Sequence, residues 1–159
     1  MKRRELEELQ LERLRALIDY CDKNVKFYHD RFEKNNITAE KIKKLSDIQY
    51  IPYTTKTDLR DNYPFGLFSV PKKQLVRLHA SSGTTGNPTV VGYTRGDLEN
   101  WSEQVARIAT AAGATDETTV QICFGYGMFT GALGLHYGLE KIGATVVPTS
   151  SGNTEKQLK

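Results

Sequence analysis

The 159-residue sequence predicts an α/β fold in which a helical N-terminal segment precedes a parallel β–α–β unit. Three observations carry that reading. From Glu5 to about Phe32, apolar residues recur at three- and four-residue steps with charges between them, the period of an amphipathic helix. Two β-branched runs flank a glycine- and hydroxyl-rich stretch between residues 75 and 93, the pattern of paired strands around a loop. Two further such runs, at 118–124 and 144–148, enclose an apolar helical stretch, and strand–helix–strand at that spacing implies a right-handed crossover between parallel strands.

The first helix carries Leu6, Leu9, Leu14, Leu17, Ile18, Cys21, Val25 and Tyr28 on its apolar stripe, with Glu8, Glu12 and Arg15 on a solvated face. Thr38 is placed to cap a second, short helix. Pro52 and Pro64 punctuate a loop-rich stretch from Asp47 to Pro71, interrupted by a helical turn at about Thr57–Asp61. Leu75–His79 alternates as a strand, and Thr89–Tyr93 reads as its partner. Thr94 with Asp97 approximates a capping box for a helix with the stripe Leu98, Trp101, Val105, Ile108 and Ala112, and Gly113 suits its C-terminal end. After the strand at 118–124, a helix runs from about Met128 to Ile142 and stops at Gly143. Gly127, Gly131, Gly134 and Gly138 fall on one face of it, so a neighbouring backbone is expected to approach closely there. Asn153–Lys159 reads as an N-cap and first helical turn. The domain boundary is expected near residue 70, with a helical segment at 1–70 and the loop and β–α–β part at 71–159.

Twenty-two Lys and Arg against nineteen Asp and Glu leave a net charge of +3, and along the first helix the two signs are interleaved. That distribution argues against nucleic acid as a partner. No window approaches a membrane span or a secretory signal, and Cys21 and Cys123 stand far apart without a C-x-x-C partner, so the sequence reads as cytoplasmic with two reduced, buried thiols. His29, His79 and His136 lack companions at metal-ligand spacing and are given no chemical role; no metal site is expected.

Ser81-Ser82-Gly83-Thr84-Thr85-Gly86 packs four hydroxyls and two glycines into six positions. Such a backbone can fold its N–H groups around an anion while the hydroxyls add donors, which is the chemistry of a polyphosphate cradle. It is not a Walker A loop, which needs Gly-Lys-Ser/Thr where this chain has Pro88-Thr89-Val90. Phe124-Gly125-Tyr126-Gly127-Met128-Phe129 follows a strand end and precedes a helix, the place where open α/β sheets bind ligands.

Ser81–Pro88 matches, position by position, the phosphate loop of the adenylate-forming enzymes, and the chain resembles their phenylacetate–coenzyme A ligase family in four further segments: 51–60, 61–66, 124–131, and 136–138 followed by 152–157. The resemblance implies the start of the large N-terminal domain of such an enzyme, truncated within it. It implies that the whole protein activates phenylacetate or a related aryl carboxylate with ATP and Mg²⁺ to an acyl-adenylate and passes the acyl group to coenzyme A, in phenylacetate catabolism. The chain alone is then expected to be inactive and to hold no catalytic residue. The resemblance assigns Ser81, Ser82, Gly83, Thr84, Thr85 and Gly86 to the ATP phosphates and Tyr126, Gly127 and Phe129 to the aryl pocket; a homodimer is compatible with it. Many relatives end the loop in Lys where this chain has Thr89, and no basic residue lies between His79 and Arg95. Lys56, in a Thr-rich turn, is therefore the candidate for a point charge on a phosphate, ahead of Arg60. The alternative is a stand-alone nucleotide- or anion-binding module without turnover.

Overall fold

The computed structural model describes residues 1–81, 87–152 and 154–158, the last stretch without the side chain of Lys156. The chain forms two compact units, Met1–Pro71 and Lys72–Lys159.

In the first unit the predicted single helix is two: α1 spans Arg3–Asn24 and α2 spans Lys26–Lys34. The break falls on Val25, whose extended backbone (φ −131°, ψ 105°) closes α1 by donating its N–H to the Cys21 carbonyl and opens α2 by accepting from His29. A β-branched residue loses less in an extended conformation than in a helix, and the break buries the Val25 side chain. Asn36 then ends α2 with a left-handed backbone (φ 54°), a conformation asparagine tolerates, and the Ile37 N–H returns to the Phe32 carbonyl at 2.9 Å. This turn carries Ile37 into a core with Ile18, Phe32 and Ile42, against which Leu11, Leu14, Cys21 and Tyr28 pack. Some expectations fail here. Leu6 and Leu17 lie outside the buried stripe, exposed, and Arg15 leaves the solvated face to donate from Nε to the Ile42 carbonyl at 2.7 Å. Burial pushes the Cys21 thiol up from its ordinary range.

Thr38 opens only a 3₁₀ turn, Ala39–Lys41, and a second such turn runs over Leu45–Tyr50. The helical turn expected near Thr57 is α3, Lys56–Asp61, capped by Thr55 and Asp58 in a reciprocal capping box. Asp58 also holds Arg31 of α2 in a fork, at 2.7 and 3.2 Å, with both side chains mostly covered. Arg31 and the two Thr55 donors drive the Asp58 carboxyl well below the usual carboxylate range. A carboxyl whose pKa falls on folding stabilises fully above its unfolded value, about 3.9, and loses that contribution as pH falls from there through the folded value. Asp58→Asn is therefore expected to lower the melting temperature at pH 7, and its deficit relative to the parent should narrow below about pH 4. An equal deficit at pH 7 and pH 3 in thermal unfolding would show that the charge is not what the fork contributes.

The second unit begins with β1 (Leu75–Ala80) and β2 (Val90–Thr94), antiparallel as expected, with His79 opposite Val91 and Ala80 opposite Val90. The Thr94–Asp97 capping box forms in both directions and opens α4, Arg95–Ala111. Gly113 follows with φ +96°, a left-handed backbone that favours glycine. The stripe on α4 shifts from the one expected: Ala106 is buried and Ile108 is exposed.

β3 (Thr119–Gln121) and β4 (Thr145–Val147) pair in parallel across α5 (Gly131–Lys141), the predicted strand–helix–strand arrangement with shorter elements. Ile122, Ala132, Leu139 and Ala144 form its core. The expected close approach holds for half of the glycine stripe. A Cβ on Gly134 would overlap the Trp101 indole and one on Gly138 would overlap the Val105 side chain, so α4 lies directly on these two positions, whereas Gly127 and Gly131 face open space. A short helix, α6, spans Thr154–Gln157, and its expected cap, Asn153, lies outside the described residues.

Candidate functional site

β1 places Arg77 and His79 on one side of the strand and Val76 and Leu78 on the other, with Val76 and Leu78 exposed and His79 only 1% exposed. At its end, two hydrogen bonds close the neck of the glycine-rich loop: the Ser81 N–H donates to the Thr89 carbonyl at 3.0 Å, and the Thr89 N–H donates to the Ser81 hydroxyl at 2.9 Å. The Ser81 oxygen is thus occupied as an acceptor, and its O–H remains the group it could offer an anion. Ser82, Gly83, Thr84, Thr85 and Gly86 lie outside the described residues.

The residues between β3 and α5 form no regular element. They nevertheless meet the loop-bearing strand, because the Met128 carbonyl accepts both the Ala80 N–H, at 3.0 Å, and the His79 imidazole Nδ1, at 2.9 Å. Two acceptor lone pairs on one carbonyl are thereby filled by consecutive residues of β1.

Tyr126 is half-buried against the Ile122, Ala132, Leu139 and Ala144 core, so part of its ring does the packing work of a core aromatic. Its hydroxyl meets His136 Nδ1 at 3.1 Å, and His136 Nε2 meets the Glu140 carboxylate at 3.0 Å. The carboxylate can only accept, so Nε2 donates to Glu140. Burial, and the Glu140 charge after it, push the Tyr126 phenol above its ordinary range. The phenol therefore stays protonated. Phe129 is 68% exposed and Gly127 has open space at its Cα. Cys123, expected to be buried, is exposed, and the Thr149 hydroxyl lies 3.7 Å from its sulfur. Lys56, exposed at the first position of α3, belongs to the other unit.

The histidines were the residues sequence reasoning passed over. His136 and Glu140 stand four apart on a helix, a spacing that brings side chains together and could have revealed the pair. His79 occupies an inward position of an alternating strand, which marks burial but gives no sign of its partner. Among the described residues no three metal-ligating side chains gather, and no helix is long and apolar enough to cross a membrane.

No protein-family model matches the chain. It is 51% identical over 155 residues to the phenylacetate-coenzyme A ligase of Escherichia coli (strain K12), a match covering 98% of this chain and 36% of that protein. The phenylacetate-coenzyme A ligase of Thermus thermophilus is 50% identical over 158 residues, covering 99% and 36%. Among solved structures, 2-hydroxyisobutyryl-CoA ligase in complex with 2-HIB-AMP and CoA superposes with a TM-score of 0.89 at 29% identity, over 96% of this chain and 33% of that one. The chain spans 36% of the length of each of these two ligases. Half its residues are shared, across nearly its whole length, with phenylacetate-coenzyme A ligases, and it has the fold of the N-terminal part of adenylate-forming CoA ligases.

Proposed function

We propose that the protein carrying this chain is an AMP-forming acid–thiol ligase that converts phenylacetate or a close aryl acid to its coenzyme A thioester. The observation that supports it most is the junction at Met128: the strand that feeds the glycine-rich loop is bonded to the 124–129 segment, which would set a phosphate element beside an aryl element.

In this reading the hydroxyls and N–H groups of Ser81, Ser82, Gly83, Thr84, Thr85 and Gly86 receive the β- and γ-phosphates, with Lys56 as a further point charge. The aryl carboxylate attacks the α-phosphorus, forming the acyl–O–P bond as the bond to pyrophosphate breaks. The thiol sulfur of coenzyme A then attacks the acyl carbon, loses its proton, and releases AMP. This chain's part is to hold the phosphates and carboxylate in line. Mg²⁺ bound with ATP would supply neutralising charge at the phosphates held by the loop. Tyr126, Gly127 and Phe129 form one wall of the aryl pocket. The protein works in the cytoplasm, in phenylacetate catabolism, on small molecules without nucleic acid or membrane partners, and a homodimer is compatible with this reading.

Incubation with ATP, Mg²⁺, phenylacetate and coenzyme A should yield phenylacetyl-coenzyme A, AMP and pyrophosphate. Formation of ADP in place of AMP would contradict the ligase reading, and nucleotide binding without product would favour a binding module.

Tyr126→Ala should lower kcat/KM for phenylacetate by roughly tenfold or more while leaving the KM for ATP near its parent value. Tyr126→Phe, which keeps the ring on the core and removes the bond to His136, separates packing from the hydroxyl. Equal losses for ATP and aryl acid in Tyr126→Ala would show a core tyrosine with no place in the pocket.

A further inference from the structure

His79 is the most completely buried large side chain of the described residues. Its ring sits edge-on to Tyr93 and to Trp101, with centroids 5.5 and 6.0 Å away, while those two rings stack on each other at 5.3 Å. Such an aromatic box would suit Leu or Phe. It holds instead an imidazole whose Nε2 is buried with no partner in the described structure, an arrangement that costs free energy. The compensation is on the other nitrogen. The Met128 carbonyl can only accept, so Nδ1 carries the proton and donates at 2.9 Å to a residue 49 positions away. The adjacent Ala80 N–H donates to the same carbonyl.

We propose that His79 is a positioning residue that couples the two substrate sites, by pinning the end of β1 to the Met128 carbonyl of the segment that carries Tyr126. The proposal rests on the ligase reading for what the two segments bind, and on the geometry alone for the pin. Met128 is two residues from Tyr126 and Ala80 is adjacent to Ser81. A shift of the aryl segment on substrate binding is therefore passed to the loop neck through one carbonyl with two donors. The pin uses Nδ1 and not Nε2, which has no partner among the described residues, so an asparagine, whose amide can occupy the place of Nδ1, should serve as a substitute, whereas leucine fills the box without the donor.

The test compares His79→Leu and His79→Asn in the full-length protein. The first readout is hydrogen exchange at the Ala80 amide, measured against amides of β3 and β4. It should accelerate by roughly tenfold or more in His79→Leu and stay within about threefold of the parent in His79→Asn. The second is linkage: the factor by which saturating phenylacetate tightens a non-hydrolysable ATP analogue should fall to near one in His79→Leu and persist in His79→Asn. A folded His79→Leu with unchanged Ala80 exchange and unchanged linkage overturns the proposal, and so do equal losses in both variants, which would make His79 a matter of buried volume. If the parent protein binds no aryl acid, the ligase reading fails, and the exchange comparison still decides whether the pin exists.

Discussion

Changing Thr84 and Thr85 together to alanine is expected to lower phenylacetate-dependent AMP formation by a factor of roughly 10² to 10⁴. Each hydroxyl bond to a charged phosphate oxygen contributes about 1.5–3 kcal/mol, so losing two removes about 3–6 kcal/mol of binding to the ATP phosphates. Phenylacetate binding should be unaffected, because the aryl ring does not touch these hydroxyls in the proposed arrangement. The measurement is steady-state AMP release with ATP varied, alongside calorimetric binding of phenylacetate. A double variant with parent-like kinetics would reduce the loop to a turn between β1 and β2, and the phosphates would have to be held by another part of the protein. Serine at both positions should recover much of the activity, since it restores the donor and removes only a methyl group.

The second large effect concerns α4 and α5. Gly138→Ala adds a Cβ that meets the Val105 Cβ and Cγ1 and comes within 3.1 Å of the Ala106 backbone nitrogen. A Cβ cannot rotate away, so the helices must separate. In an exposed helix the same change would gain about 1 kcal/mol; overpacking of a close contact costs about 1–3 kcal/mol and is expected to win here. Gly131→Ala provides the contrast, because nothing lies within 4 Å of its added Cβ and the substitution should be neutral or stabilising. Thermal unfolding of the pair checks this. If Gly138→Ala melted above the parent, the helix contact would be looser than its geometry states. The consequence reaches the site, since α4 carries Trp101 against His79 and α5 carries His136 against Tyr126.

What could be read from the sequence divides along a physical line. Features set by local chemistry were legible: the Thr94–Asp97 box, the left-handed glycines at 113 and 143, the helical turn before Asp61, the strand pair around the loop and the parallel strands across a helix. Features set by remote partners were not. Periodicity shows which face of a helix is apolar but not how far the neighbouring elements cover it, hence the exposure of Leu17 and Ile108. A continuous stripe runs through Val25 with no sign of the break, because the burial that the side chain gains there depends on tertiary surroundings that the local pattern does not show. The glycine stripe identified a close contact and half of its positions. In the site, the composition of the loop and of the 124–129 segment was legible as a candidate chemistry. The Met128 carbonyl that joins them was not, because a backbone acceptor has no sequence signature and its donor lies 49 residues away.

In the proposed function, this chain supplies the phosphate loop and part of the aryl wall to an enzyme that forms an acyl-adenylate. Exchange of labelled pyrophosphate into ATP, in the full-length protein with phenylacetate and Mg²⁺ but without coenzyme A, tests it most directly. Reversible adenylation predicts exchange that depends on phenylacetate, needs no thiol and collapses in the Thr84/Thr85 double alanine variant. Exchange that is absent without coenzyme A, or that proceeds equally without phenylacetate, would contradict the account.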